Sequence, residues 1–363
     1  MSAALQIVAA GARTPVGTTA ETTAAAIRAG ISRVRRVQVS ELGSGSESFL
    51  AQDGLLDRRE WGAAARMAAM GVAALAEVLG KLAPTAARLN VEVPVFVGFP
   101  EARPGWEPSE LQRVVAMLSA VDAGRLRLRV EPRLTGHAAA LESLHQAASW
   151  AGHAGRCPLI IVGGIDSYQD LETLDWLREN NQWLEEGART GFAPGESAAF
   201  VALMPESNAR KLGLAPAAIV RATATGRETQ LINTPVLNLA EGLTSAVRQA
   251  LNPLDNPREV VENIYCDING DRYRTEEWGF VALRLGTSFR DVSTYHSPVR
   301  SCGEVGAATG ALNLLMCAQS WRREYARGPR ALVWGSSDAG LRAAALLEAP
   351  SPGHRGEIRT WAP

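Results

Sequence analysis

Hydrophobic residues along the chain fall into short, uninterrupted runs separated by longer segments with helical periodicity. The runs lie at 5–10, 93–99, 158–164 and 197–204 in the first part, and at 263–268, 330–335 and 341–349 in the second. Uninterrupted apolar runs of strand length are typical of strands buried on both faces, as in a mainly parallel sheet covered by helices. The runs therefore predict the strands of a large, fully covered sheet.

Segments of helical periodicity, several of them rich in alanine, occupy the stretches between these strands. They lie at 19–30, 59–82 and 109–120, directly after Gly136, at 236–251, from about Thr275, and at 303–323. Strands that alternate with helices predict an α/β fold. Because the alternation occurs twice, we expect two similar halves, 1–207 and 208–363, divided near 205–212.

The segment that follows Gly136 predicts how the two halves fit together. It has Gly or Ala at many positions and few charges. A helix of this composition can be buried on all sides and approached closely by other backbones, so it suits a middle layer shared by both halves. The sequence therefore predicts a duplicated, five-layered α/β/α/β/α arrangement that behaves as one rigid unit.

Composition and charge exclude several classes of function. Lys plus Arg number 37 against 38 Asp plus Glu, for a net charge of -1. This balance gives no electrostatic case for binding nucleic acid or an anionic membrane. No uninterrupted apolar run approaches the roughly 18–20 residues that span a bilayer. The apolar start lacks the basic segment of a signal peptide, so we expect a cytoplasmic protein.

Cysteine and histidine usage argues against a metal centre. The chain has four cysteines and five histidines, with no metal-ligand spacing among them and no HExxH-like arrangement. Buried, reduced thiols are therefore the expected state of Cys157, Cys266, Cys302 and Cys317. We expect neither a metal nor a cofactor.

Seven short motifs, taken in order, resemble the thiolase superfamily and in particular its β-ketoacyl synthase branch. They are VAAGARTPVG (8–17), GHAAALESLHQA (136–147), IVGGIDS (161–167), GFAPGESAAFVAL (191–203), CDINGDRYR (266–274), SCGEVGAATGAL (301–312) and WGSSDAGLRAAALL (334–347). Each motif alone is weak, but their order and spacing along nearly the whole chain agree with the family. The resemblance implies the thiolase-like version of the duplicated five-layered fold.

The resemblance also implies that the family's three catalytic side chains are replaced together. The nucleophilic cysteine becomes His137, the first histidine becomes Asn269 and the second becomes Glu304. An acyl-imidazole hydrolyses readily, so His137 is a poor acyl carrier. Glu304 places negative charge where the family's enzymes donate to an oxyanion, and losing even one such donor costs about 10² to 10³ in rate.

Two interpretations of these three residues follow. They form either a buried polar cluster that fills a former active site, or a rewired acyltransferase or hydrolase site with a His137–Glu304 pair and Asn269 as donor. Cys302, two residues before Glu304, is a further candidate nucleophile. Glu196 is expected to be structural, and Asp166 to be a turn or dimer-interface residue.

The interpretation we favour is a catalytically silent, thiolase-fold homodimer that binds another protein. The sequence resembles degenerate ketosynthase-like proteins found in bacterial type VI secretion gene neighbourhoods, which implies a chaperone or adaptor that helps load a secreted effector. A third hypothesis is a non-catalytic partner of an active ketosynthase. The dimer edge is expected near 157–164, and the polar loops around Ser44 and Trp106 are expected to face a partner.

Overall fold

The computed structural model describes residues 4–38, 47–56, 62–86, 89–151, 158–232, 234 and 236–351. Its first part contains β1 (Leu5–Arg13), α1 (Ala20–Arg28), β2 (Val34–Gln38), β3 (Glu47–Ala51), α2 (Ala63–Ala86), β4 (Glu92–Gly98), α3 (Pro108–Ser119), β5 (Arg127–Arg133), α4 (Ala139–Ala151), β6 (Ile160–Ser167), α5 (Leu171–Glu179) and β7 (Glu196–Pro205). The second part contains α6 (Glu206–Leu212), β8 (Ala218–Arg227), α7 (Glu241–Leu251), β9 (Asn263–Tyr265), α8 (Arg272–Leu285), α9 (Val299–Cys302), α10 (Thr309–Arg322), β10 (Arg330–Ser336) and β11 (Leu341–Glu348).

Side-chain caps begin several of these helices where the sequence places Thr or Asp. Thr19 forms a capping box with Thr22 at the start of α1. Asp170 accepts hydrogen bonds from the first backbone N–H groups of α5, and Asp271 does the same for α8. These caps satisfy N–H groups that have no partner within the helix, and they fix where the chain turns from loop to helix.

One strand, β1, joins the strands of the two parts into a single nine-stranded sheet. The strand order is β5-β4-β6-β7-β1-β8-β11-β10-β9. β1 pairs with β7 along most of its length but with β8 over only three residue pairs, from Leu5↔Val220 to Ile7↔Ala218. The prediction of a mainly parallel sheet was wrong: β4–β5, β4–β6 and β9–β10 are parallel, and the other pairings are antiparallel. A continuous apolar run indicates that a strand is buried on both faces, and it does not indicate the strand's direction. Antiparallel strands of this sheet such as β1, β7 and β11 are also buried on both faces.

The nine strands form two sets, β5-β4-β6-β7-β1 (the first strand set) and β8-β11-β10-β9 (the second), which meet where β1 pairs with β8. Helices cover the two sets in three layers, which confirms the predicted five-layered α/β/α/β/α fold. α2 and α3 pack on the outer face of the first strand set, and α7 and α8 lie outside the second. α4 and α10 contact strands of both sets and lie between them. One apolar cluster fills this middle layer, and two further clusters lie under the outer helices.

The middle helix α10 is buried along almost its whole length. Every residue from Thr309 to Ser320 is buried. A 3₁₀ turn at Gly306–Ala308 precedes it, so the α-helix begins a few residues later than the predicted 303. Such a helix needs small, uncharged residues on all sides, which is what the segment after Glu304 supplies.

Helix α2 is long and apolar enough to cross a membrane by length and composition alone. Its most apolar window, within Ala63–Thr85, is 61% buried inside the protein. The helix packs on β1, β6 and β7 and on α3. Its length agrees with the helix predicted over 59–82, and Arg66, Glu77 and Lys81 interrupt its apolar sequence. The burial is that of a core helix of the fold.

The structure corrects the strand expected at the dimer edge. β6, which follows the helix after Gly136, is paired with β4 on one side and β7 on the other, so it has no free edge. The edge of the first strand set is β5, which pairs only with β4 among the described strands. Its sequence, RLRVEPR, was not predicted as a strand because charges and a proline interrupt it. The β2–β3 hairpin and α5 were missed as well.

A buried ion pair connects α2 to β7. Arg66 donates from Nε and Nη2 to the two carboxylate oxygens of Glu196, at 2.7 and 2.6 Å, and both side chains are at most 1% exposed. The backbone N–H of Asp53 and the hydroxyl of Ser167 also donate to Glu196. Glu196 is thus fully hydrogen-bonded inside the protein, in agreement with the structural role expected for it.

Replacing Glu196 with alanine should therefore destabilise the fold strongly. Arg66 would stay buried without its counter-charge, and a broken buried pair costs about 3–5 kcal/mol. Urea unfolding should show this loss for Glu196→Ala. The double variant Arg66→Met/Glu196→Leu should recover much of it, since two apolar side chains leave no buried charge. Equal losses in the single and double variants would contradict this explanation.

Candidate functional site

His137 is placed by a tight turn at the start of the first middle helix. Gly136 has φ +66°, a conformation that favours glycine, and a 3₁₀ turn over Gly136–Ala138 leads into α4. His137 lies within this turn and is 5% exposed. The next backbone N–H, of Ala138, donates to Ser337 Oγ at 2.9 Å. The helix start is thus already hydrogen-bonded to the loop after β10.

Glu304 is placed by the equivalent turn before α10. Its backbone N–H and C=O bond to Ala193 and Gly195, which holds it against the loop before β7. Gly306 has φ +47°, and a Cβ at that position would lie 1.9 Å from Asp166 Oδ2. Only glycine fits there, so the chain can turn sharply and direct Gly306 N–H to Glu304 Oε1 at 2.8 Å.

The structure brings together the three residues that the sequence analysis singled out. His137 Nε2 lies 3.2 Å from Glu304 Oε1, and Asn269 Nδ2 donates to Glu304 Oε2 at 2.6 Å. His137 is 5%, Asn269 6% and Glu304 3% exposed. The Glu304 carboxylate is therefore the centre of a buried cluster. The side-chain donors of His137 and Asn269 that face it are both used in hydrogen bonds to it.

A fourth member of the site, Arg274, was missed by the sequence analysis. It projects from the first turn of α8, is 3% exposed, and places Nη2 within 3.3–3.4 Å of both ring nitrogens of His137. The guanidinium also donates to Asp267 Oδ2 at 2.7 Å and to Asp338 Oδ1 at 2.9 Å. Asp267 and Arg274 both lie in the CDINGDRYR motif. The signal in the sequence for their ion pair was therefore an acidic and a basic side chain seven positions apart.

The charges of this cluster shift the acidity of its members in opposite directions. Burial and the Arg274 charge oppose protonation of His137, but Glu304 outweighs them and raises the pKa of the imidazole. Although burial acts against its ionisation, the pKa of Glu304 falls to about 2 because His137, Arg274 and the Gly306 N–H stabilise the carboxylate. Both shifts favour the imidazolium–carboxylate form of the His137–Glu304 pair.

A small cavity opens beside this cluster. Its volume is about 120 Å³, and its walls include His137, Asn269, Arg274, Glu101, Tyr168 and Phe192. The N–H of Ala339 donates to the Glu101 carboxylate, whose pKa is raised by burial and by the charge of Asp338. Arg103, also in the wall, pairs with Asp166 at 2.6 Å. His137 and Asn269 thus face a space of a few water molecules, while Glu304 lies behind them and does not line it.

Asp166 serves the turn before α10. It accepts from Ala307 N–H at 2.9 Å in addition to its pair with Arg103. These bonds hold the turn before α10, and a role of Asp166 at a dimer interface stays a prediction. Among the described residues no group of three or more His, Cys, Asp or Glu side chains is arranged to hold a metal ion.

Cys302 is not available as a displaced nucleophile. It is fully buried, and burial raises its pKa to about 12, so the thiolate does not form near neutral pH. Burial also raises the pKa of Cys266 and Cys317. Cys157 lies outside the described residues.

One of the two loops expected to face a partner is not accessible at its tryptophan. Trp106 is 1% exposed and stacks on Phe99, with ring centroids 6.0 Å apart. The Pro-, Gly- and Glu-rich sequence of this loop is typical of an exposed segment, but the indole packs into the cluster under α2 and α3. Ala102, Pro104 and Glu107 of the same loop are exposed, and a partner contact there stays a prediction. Ser44 lies outside the described residues.

Comparisons with known proteins bear on the fold. No protein-family model matches the sequence, and no curated protein does. Among solved structures, the ketosynthase from module 6 of the bacillaene synthase of Bacillus subtilis 168 is similar with a TM-score of 0.75 and 14% identity, over 96% of this chain and 72% of that chain.

Two further structures align over their whole chains. A type II PKS acyl-carrier protein in complex with its ketosynthase, AntDE:AntF, gives a TM-score of 0.79 at 14% identity over 97% of this chain and 100% of that chain. The ishigamide ketosynthase/chain length factor gives 0.78 at 15% identity over the same shares. Identities this low show the fold alone: the chain has the thiolase-like fold of the ketosynthases and chain length factors.

Proposed function

We propose that this chain is a catalytically silent ketosynthase-fold protein that works by binding another protein. The hydrogen bonding of the Glu304 carboxylate supports this proposal most directly. It accepts hydrogen bonds from His137, Asn269 and the Gly306 N–H, so these donors are already used. A carboxylate at this place would also repel an oxyanion that develops nearby, which opposes acyl transfer.

The state of His137 supports the same proposal. Glu304 raises the pKa of His137 and engages its Nε2, which favours the protonated imidazole. A protonated imidazole is neither a nucleophile nor a general base. The rewired acyltransferase or hydrolase would need a neutral His137 that faces the cavity with a free nitrogen, and both ring nitrogens have close partners here.

The partner we propose is a secreted effector or its adaptor, bound in the cytoplasm. The argument for it is the resemblance of the sequence to degenerate ketosynthase-like proteins of type VI secretion neighbourhoods. A second candidate role, the non-catalytic partner of an active ketosynthase, is favoured by one observation: a structural neighbour is a ketosynthase/chain length factor. Co-purification with a paralogue that has an intact catalytic cysteine would select this second role.

We also propose a homodimer, with β5 as the pairing edge. An unpaired edge strand exposes backbone N–H and C=O groups, and pairing across a two-fold axis covers them. Light scattering at micromolar concentration should give twice the mass of 38.7 kDa. Backbone amides of Arg127–Arg133 should exchange with deuterium more slowly as the concentration rises. A monomer mass, or exchange independent of concentration, would contradict the dimer.

Glu304→Ala should lower stability without abolishing any activity, because the proposal assigns no activity to the site. Removing the carboxylate leaves a buried cation and two donors unsatisfied, which costs about 3–5 kcal/mol. Thermal unfolding and release of CoA from acyl and malonyl thioesters should be measured on the wild type, His137→Ala and Glu304→Ala. His145→Ala, a histidine outside the site, serves as the control.

Wild-type turnover that disappears in His137→Ala or Glu304→Ala, with unchanged melting temperatures, would refute the silent-protein proposal and support the rewired enzyme. His137→Cys provides a stricter test. Because Glu304 would still oppose the oxyanion, restoring the thiol alone should not create condensing activity. A measurable condensation rate in this variant would show that the site retains hydrogen-bond donors for the oxyanion, and it would contradict the proposal.

The stabilising effect of the His137–Glu304 pair should depend on pH. Since the pKa of His137 is higher in the folded than in the unfolded chain, its stabilisation is complete below the unfolded pKa and is lost as pH rises through the folded value. His137→Gln should therefore reduce the free energy of unfolding more at about pH 5 than at about pH 9. In a Glu304→Gln background this difference should vanish. An equal reduction at both pH values would mean that the imidazole is neutral.

A further inference from the structure

The surface at the ends of α1 and α10 carries a group of exposed arginines that make no ion pair with any residue in the described ranges. They come from three separate segments of the chain, and an exposed isoleucine and tyrosine lie among them. Ile31 is 51% and Tyr295 38% exposed. We call this surface the arginine patch; it consists of Arg28, Arg33, Arg300, Arg323 and Arg327 with Ile31 and Tyr295.

Direct contacts show that the first three arginines belong to one surface. Ser32 Oγ donates to the carbonyl of Arg300 at 2.7 Å, and the N–H of Arg33 donates to the carbonyl of Ser301 at 2.9 Å. The chain that follows α1 is therefore bonded to α9. Arg28, at the end of α1, lies close to this junction in sequence and space.

The remaining two arginines join the patch through aromatic rings. The Arg28 guanidinium lies 4.3 Å from the centroid of the Tyr325 ring. Burial raises the pKa of Tyr325, while the charges of Arg28 and Arg323 act together to lower it, so both cations are near this one side chain. Burial and the Arg327 charge lower the pKa of His296, the neighbour of Tyr295.

The arginine patch extends along the middle layer away from the cluster around Glu304. Arg300 lies four residues before Glu304 in the chain, and its side chain is exposed whereas that of Glu304 is buried. α10 begins beside the cluster and has 14 residues, so its far end, which Arg323 follows directly, lies about 21 Å away at 1.5 Å per residue. The patch is thus a surface feature distinct from the buried cluster.

The chemistry of the patch points to carboxylates presented by a protein. Its five cations are all arginines, whose planar guanidinium binds carboxylates through two parallel hydrogen bonds. Arginine and tyrosine are enriched at the centres of protein interfaces, where an exposed apolar residue such as Ile31 is also buried. The patch contributes +5 to a chain with a net charge of -1, so the rest of the molecule is negative and repels a long polyanion.

We propose that the arginine patch binds an acidic segment of a partner protein. This inference rests on the proposed function, because it gives the chemical class of the partner. The guanidinium groups would pair with glutamate or aspartate side chains, and Ile31 and Tyr295 would pack against apolar residues between them. Charge pairing of this kind accelerates association and makes binding sensitive to salt.

The test uses a short fluorescein-labelled peptide of glutamate and leucine as the probe, with binding followed by fluorescence anisotropy on the full chain. The wild type should bind it, and added NaCl should weaken binding. The triple variant Arg28→Glu/Arg300→Glu/Arg323→Glu should bind at least about tenfold more weakly, because attraction becomes repulsion. Thermal unfolding should be unchanged, since these side chains are exposed.

A matched control carries the same charge change on other faces. Arg113→Glu/Arg248→Glu/Arg290→Glu alters three exposed arginines and should bind the peptide as tightly as the wild type. No binding by the wild type, or equal loss in both triple variants, would overturn the proposal. Tighter binding of a single-stranded RNA or of phosphatidylserine vesicles would overturn it in favour of a different anion. Thioester turnover reports separately on the silent-protein proposal, so either proposal can fail alone.

Discussion

The close approach of two 3₁₀ turns, Gly136–Ala138 and Gly306–Ala308, is the constraint around which the rest of the molecule is arranged. They meet at the centre of the middle layer, where the strand residues facing them must lack side chains. A Cβ on Gly164 would lie 2.0 Å from the carbonyl oxygen of Ala307, and one on Gly335 would lie 3.3 Å from that of His137. Five layers can close at this point only because glycine lines it, and the same approach brings position 137 against position 304.

Once these two positions face each other, their chemistry has to be compatible with burial. A carboxylate inside a protein is tolerated when it is paired and fully hydrogen-bonded. Glu304 meets that requirement through two side chains and one backbone N–H, and Arg274 extends the network to Asp267 and Asp338. Glu304 and its neighbours thus form a buried, hydrogen-bonded polar cluster, which supports the proposal that the chain works by binding.

Much of the fold and the centre of the site could be predicted from the sequence, because burial and glycine turns leave local patterns. The continuous apolar runs located most of the central strands, and the three positions that the motif order singled out, His137, Asn269 and Glu304, lie in one cluster. Arg274 could not be found this way, since its role depends on a contact across 137 positions of sequence. Trp106 was misjudged for a related reason: its loop has an exposed composition, and only the folded chain shows Phe99 beneath the indole. The edge strand β5 lacks the apolar continuity on which strand prediction depends.

The pairing of β1 has a consequence for how the protein is made. Leu5 pairs with Pro205 on one side and Val220 on the other, so β1 leaves the ribosome about 200 residues before its partner strands. At about 5–20 residues per second, synthesis leaves this apolar strand without its sheet for at least about ten seconds. Contacts of such large sequence separation form slowly and late. The five strands of the first strand set can therefore all be paired only once β7 emerges, and β8 joins β1 later still.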